Sequence, residues 1–130
     1  MRILVADDHE TIRKGVRSIL SERKSIEVSE AATGKEAVDR AREAPPDLLI
    51  LDINMPVMGG LEAAREIRSF LPNVPILFFT MHEGIHLIQE AKLVGAQGFV
   101  TKSQASETLL NAVDALIHND TFFPTGESTH

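Results

Sequence analysis

Five apolar runs, each followed by a segment of helical period, leave this chain few ways to fold. The runs lie at about 2 to 7, 26 to 31, 47 to 52, 74 to 80 and 97 to 101. After them, apolar residues recur three and four apart: Ile12, Val16, Ile19 and Leu20; Ala37, Val38 and Ala41; Leu61, Ala64, Ile67 and Leu71; Leu87, Ile88, Ala91 and Val94; and finally Leu109, Ala112, Val113, Leu116 and Ile117. A strand that is repeatedly followed by an amphipathic helix predicts a parallel sheet with helices on both faces, because each helix must bury its stripe while carrying the chain back to start the next strand. Pro45-Pro46, Pro72 with Pro75, and Gly95 stand where a helix has to stop before a strand begins. Ligands of such sheets bind beyond the carboxyl ends of the strands, at the point where the strand order reverses. The residues that close the apolar runs are therefore the first candidates for function.

Composition removes several function classes. A chain of 130 residues predicts one domain, able to bury about two-thirds of its unfolded surface without a disulfide or metal staple. It has no cysteine, no charged-then-apolar leader and no apolar run near membrane-spanning length, so a cytoplasmic protein with no membrane partner and no redox chemistry is expected. A net charge of -6, with no cluster of Lys and Arg interleaved with aromatics, opposes direct binding to nucleic acid phosphates.

The run ends carry an unusual set of groups. Asp7-Asp8 follows the first run, Asp52 closes the third, Thr80 closes the fourth and Lys102 follows the fifth. If the runs are neighbouring strands, three carboxylates converge at one sheet edge, at a cost in repulsion and desolvation that a hard cation relieves. Oxygen ligands in this number suit Mg²⁺, which keeps several waters and takes one or two carboxylates plus phosphate oxygens. Thr80 and Lys102 remain to hold the other oxygens of a phosphoryl group, one as a hydrogen-bond donor and one as a point charge. Plainer readings exist for each residue alone: Asp7 and Asp8 as helix caps, Asp52 as a turn former, Lys102 as a surface lysine, Thr80 as strand composition and Phe99 as packing against the fourth helix. No plain reading accounts for all the strand ends together.

Asp7-Asp8, Leu51-Asp52-Ile53-Asn54-Met55-Pro56 with Gly59-Gly60, Thr80 and Lys102 resemble, in order and spacing, the receiver domain of bacterial two-component response regulators. The resemblance covers residues 1 to about 118. It implies a flavodoxin-like (βα)5 α/β fold with a five-stranded parallel sheet in the order 2-1-3-4-5 and helices on both faces. It implies that Asp52 takes a phosphoryl group from a phosphohistidine on a sensor histidine kinase, with Asp8 as a direct Mg²⁺ ligand, Asp7 a ligand acting mainly through water, and Asn54 supplying its backbone carbonyl. Thr80 and Phe99 are implied as the switch, Phe99 swinging from an outward to an inward rotamer and biasing the surface of the fourth helix, fifth strand and fifth helix. Output would be a change of partner or homodimerisation on phosphorylation, through the first and fifth helices or the fourth and fifth.

Three further stretches, Asp7-Asp8-His9 running into Ile12-Arg13-Lys14-Gly15-Val16, Thr80-Met81-His82-Glu83, and Gly95-Ala96-Gln97-Gly98-Phe99, are similar to NarL/LuxR-type regulators. That similarity implies a DNA-binding output domain beyond a linker, with residues 119 to 130 as a tail or the start of that linker, and DNA contacted only through the absent domain. A stand-alone receiver acting by protein interaction is the alternative. Two departures from the common receiver pattern bear on chemistry. Lys102 is followed by Ser103 where many receivers have a cis proline, so a cis bond here would be a costly non-proline case. Met81 is larger than the Ala, Ser or Gly often found there, and at the site rim Met81, His82 and Asn54 are expected to govern access of water to an acyl phosphate.

Of the histidines His9, His82, His86, His118 and His130, none has zinc spacing, and His9 and His82 fall near the expected pocket. Asp52 is expected to be ionised near neutral pH, favoured by Lys102 and the metal against repulsion from Asp7 and Asp8. An aspartate-nucleophile phosphatase combines similar groups, but the residue two beyond Asp52 is Asn54 and no acidic pair follows Lys102. A nucleotide-binding module lacks its Gly-rich loop after the first run.

Overall fold

The computed structural model describes residues 1–124, without the side chains of 104–106. In chain order the elements are β1 (Arg2–Ala6), α1 (Glu10–Leu20), β2 (Glu27–Ala31), α2 (Gly34–Glu43), β3 (Leu48–Leu51), α3 (Gly60–Phe70), β4 (Ile76–Thr80), α4 (Ile85–Leu93), β5 (Gly98–Thr101) and, after a short 3-10 turn over Lys102–Gln104, α5 (Ala105–Ile117). All strands pair in parallel in the order β2-β1-β3-β4-β5, the flavodoxin-like arrangement.

The two faces follow from the period of two along each strand. Ile3 and Val5, Leu48 and Ile50, Leu77 and Phe79, and Val100 point toward one buried cluster, shared with Val16 and Leu20 of α1 and with Leu109, Ala112, Val113 and Leu116 of α5. Leu4 and Ala6, Leu49 and Leu51, Ile76 and Phe78, and Phe99 point to the other, shared with Ala37, Val38 and Ala41 of α2, Ala63, Ala64 and Ile67 of α3, and Ile88 and Ala91 of α4. The inner strands β1, β3 and β4 and the strand β5 are almost wholly apolar because the sheet is covered on both sides there, whereas the edge strand β2 carries Glu27, Ser29 and Glu30 and is only partly buried.

Local chemistry sets the ends. Pro75, expected inside the fourth run, lies outside β4 because it lacks an N–H, yet its carbonyl still accepts from Leu49 at 2.9 Å. Gly95 ends α4 with φ +87, its N–H donating to Lys92 while Ala96 N–H donates to Ala91, the paired bonds that close a helix end around a left-handed glycine. Beyond α5 the chain returns to the sheet: Phe99 N–H donates to Phe122 O and Phe122 N–H to Gln97 O, both at 2.9 Å, so part of the expected tail or linker lies against the β5 edge. Residues 125–130 of that stretch lie outside the described residues. Among the described residues no helix is long and apolar enough to cross a membrane.

Candidate functional site

Register brings the run-ending residues together. Ala6 pairs with both Ala31 and Leu51, and Thr80 pairs with Thr101, so Asp7, Asp52 and Lys102 each stand one residue past the end of a strand, β1, β3 and β5 in turn, with Thr80 closing β4 between the last two. Their backbones remain tied to the sheet, Asp7 N–H donating to Ala31 at 3.0 Å and Asp52 N–H to Ala6 at 2.9 Å. The strand order reverses between β1 and β3, which puts Asp7 and Asp52 on the two sides of the switch point.

Lys102 joins the two acids. Its Nζ donates to Asp7 Oδ2 at 2.6 Å and approaches Asp52 Oδ2 at 3.3 Å, with all three side chains at most 7% exposed. Asp8 is the accessible acid. Asp7 also accepts the His9 N–H at 2.9 Å, and the His9 ring Nδ1 lies 3.1 Å from Asp7 and 3.2 Å from Asp8. Asp7 is thus not the side-chain cap of α1. His9 holds the capping position and makes no side-chain cap bond.

Asp7, Asp8, Asp52 and His9 each offer a ligand atom within 4.8 Å of the others, an oxygen-rich set that fits a hard divalent cation. Burial pushes the Asp52 carboxyl up from its ordinary pKa; the Lys102 charge opposes this, Asp7 reinforces it, and hydrogen bonding from Lys102 and Thr80 opposes it further. The attraction of Lys102 exceeds the repulsion from Asp7, and the carboxyl is raised all the same. Removal from water, invisible in the sequence, is the larger effect.

Thr80 is fully buried and its hydroxyl accepts the His82 N–H at 3.3 Å. Above it the side chains of Asn54 and His82 meet, closing one rim between the loops after β3 and β4, while Met81 is exposed. Phe99 is 1% exposed, in the same cluster as Ile88 and Ala91, so it sits inward in this structure. The Lys102–Ser103 peptide is trans, as no cis peptide bond occurs among the described residues.

The loop after β3 is held at short range. Met58 N–H donates to Pro56 O at 2.7 Å around Val57, a β-branched residue at φ +69. Gly60 donates to Ile53 O at 2.7 Å, and a Cβ on Gly60 would lie 1.9 Å from the Asp52 carbonyl oxygen. Gly59-Gly60 is thus explained by the closeness of α3 to the backbone of Asp52. Arg13 is a site neighbour that the sequence did not flag: its Nη1 donates to Asp7 O at 2.6 Å and its Nε to Glu30 at 2.8 Å. The available signal was Arg13 and Arg17 one turn apart on a helix facing a strand that carries Glu30.

The model of the response regulator receiver domain matches residues 3–114. The chain is 37% identical over 114 residues to the transcriptional regulatory protein LnrK of Bacillus subtilis, covering 87% of this chain and 52% of that protein. It is 40% identical to the transcriptional activator protein ExaE of Pseudomonas putida, over 87% of this chain and 53% of that one. It therefore spans about half the length of the curated relatives it matches. A LuxR-family two-component response regulator from Aurantimonas sp. SI85-9A1 superposes with a TM-score of 0.89 at 38% identity, covering 93% of this chain and 87% of that one. The chemotaxis protein CheY4 of Vibrio cholerae superposes at 0.81 with 37% identity, covering 87% and 95%. With the strand order, the acid cluster and these likenesses in agreement, the chain belongs to the response regulator receiver domain family, among relatives of the LuxR type.

Proposed function

We propose that Asp52 is the phosphoryl acceptor of a two-component switch. The observation that carries this reading is the placing of Asp52 one residue past β3, buried, with the Lys102 ammonium between it and Asp7. A carboxylate oxygen of Asp52 attacks phosphorus in line, the P–N bond of a kinase phosphohistidine breaks, and its electron pair returns to the imidazole nitrogen. Transfer of this kind needs positioning and charge neutralisation more than covalent help. Asp7, Asp8, Asp52 and the Asn54 carbonyl would hold Mg²⁺, which when bound neutralises charge on the transferring group. Lys102 and Thr80 hold its remaining oxygens. Water later cleaves the acyl phosphate to inorganic phosphate, restoring Asp52, and Met81, His82 and Asn54 at the rim limit its approach.

The added charge draws Thr80 and Lys102 toward the phosphoryl oxygens, and Phe99 exchanges between its inward position and an outward one. The receiver works in the cytoplasm with a sensor histidine kinase, dimerises on phosphorylation, and controls transcription through a DNA-binding output domain; relatives named as transcriptional regulators, about half matched by this chain, support that context. Intact mass after incubation with Mg²⁺ and acetyl phosphate tests the core of the reading. One added phosphoryl group is expected, absent in Asp52→Asn, and equal labelling of the variant would overturn the assignment.

A further inference from the structure

The acid pair Asp7-Asp8 is carried by a loop, and a loop holds a ligand only as well as its peptide planes are fixed. The Asp7–Asp8 peptide is planar, so anchoring its carbonyl fixes the plane and the N–Cα bond from which the Asp8 side chain departs, leaving fewer directions open to it. Arg13 supplies that anchor at 2.6 Å from one turn into α1. Its guanidinium is itself fixed: Nε donates to Glu30 Oε1 at 2.8 Å, and Arg17 donates from Nε and Nη2 to Glu30 Oε2 at 2.9 and 2.7 Å. The two arginines hold the Glu30 carboxyl below its ordinary pKa, so it stays a charged acceptor. Arg13 is 15% exposed and Glu30 27%, so the chain of contacts is partly shielded from water.

We infer that Arg13, locked by Glu30, is a positioning residue for the divalent-cation site, acting through the Asp7 carbonyl to aim Asp8. The inference rests on the reading of Asp7, Asp8 and Asp52 as that site. Charge and geometry make opposite demands on Arg13, which gives the inference a sign. A guanidinium beside a cation site repels the cation, so by charge alone its removal tightens binding. If Arg13 aims Asp8, its removal weakens binding, as loss of a residue supporting a ligand commonly does. Arg17 clasps the same Glu30 but does not reach Asp7, and so serves as the control.

The test uses Mn²⁺ as the probe, with free ion counted by electron paramagnetic resonance on the full 130-residue chain. Wild type should bind one Mn²⁺ and Asp8→Asn should lose it; failure of wild type to bind overturns the cation-site reading itself. Given that binding, Arg13→Ala should weaken Mn²⁺ affinity about tenfold, while Arg17→Ala stays within about twofold of wild type. Equal or tighter binding by Arg13→Ala, or an equal loss in Arg17→Ala, overturns the positioning role. If Arg13→Ala melts too low to titrate, Glu30→Gln, nearly the same in volume, takes its place, with weaker binding expected and unchanged binding overturning the inference.

Discussion

The two ends of the sheet use the same residue types with opposite consequences. At the amino end, the Arg2 N–H donates to Asp47 at 2.8 Å and the Arg2 side chain lies 4.0 Å from Glu27, with those two side chains 55% and 83% exposed. At the carboxyl end, Lys102, Asp7 and Asp52 are almost entirely out of water. In water an ion pair is screened and worth about 0–1 kcal/mol; out of water its members cost desolvation energy that only close partners return. The amino end is a solvated rim, whereas the carboxyl end holds its charges out of water and against one another.

Substitutions at both ends put this contrast to the test. The largest effect should come from Lys102→Ala, which leaves Asp7 and Asp52 buried without their cation: a loss of about 3 kcal/mol at neutral pH without divalent ions, read by thermal melting. The loss should shrink in acid as the carboxylates take up protons, and unchanged melting at neutral pH would place this end with the solvated one. Gly60→Ala should cost about 1–3 kcal/mol, since its Cβ meets the Asp52 carbonyl oxygen rather than a side chain that can turn away, and should also slow labelling of Asp52 by acetyl phosphate. Normal melting and labelling would show that the loop after β3 yields.

Asp52→Asn tests the burial of charge through pH. The Asp52 pKa is raised in the folded state, so folding favours the bound proton, and wild-type stability falls as pH rises from the ordinary carboxylate value through the raised one. The variant lacks that step. It should melt higher than wild type at neutral pH without metal, the difference closing below the ordinary carboxylate range; a difference independent of pH would refute the account. The smallest effect belongs to Arg2→Ala, expected to change stability by less than about 1 kcal/mol and to fade with added salt.

Much of this molecule was legible before its coordinates. Apolar runs and the 3.6-residue period are local, and they marked all five strands and five helices, with Pro45-Pro46 and Gly95 as stops. Asp7, Asp52 and Lys102 were legible for a related reason: each adjoins the end of an apolar run, and parallel strands in register bring such ends side by side. Other features depend on distances between residues far apart in the chain. The Arg13–Glu30 contact joins α1 to β2, the Asn54–His82 contact joins two loops, and the return of Phe122 to β5 follows α5 rather than any strand pattern.

Asp52 marks the boundary between these two kinds of information. Its residue type, its position at the close of an apolar run and its company of acids, hydroxyl and ammonium were written in the chain, and with them the fold class and the family resemblance. The balance of forces on its proton was not, because burial is a property of what the start of α3, the neighbouring strands and Lys102 do together. Local order is encoded residue by residue, but electrostatic energy depends on how far the assembled protein keeps water from a charge.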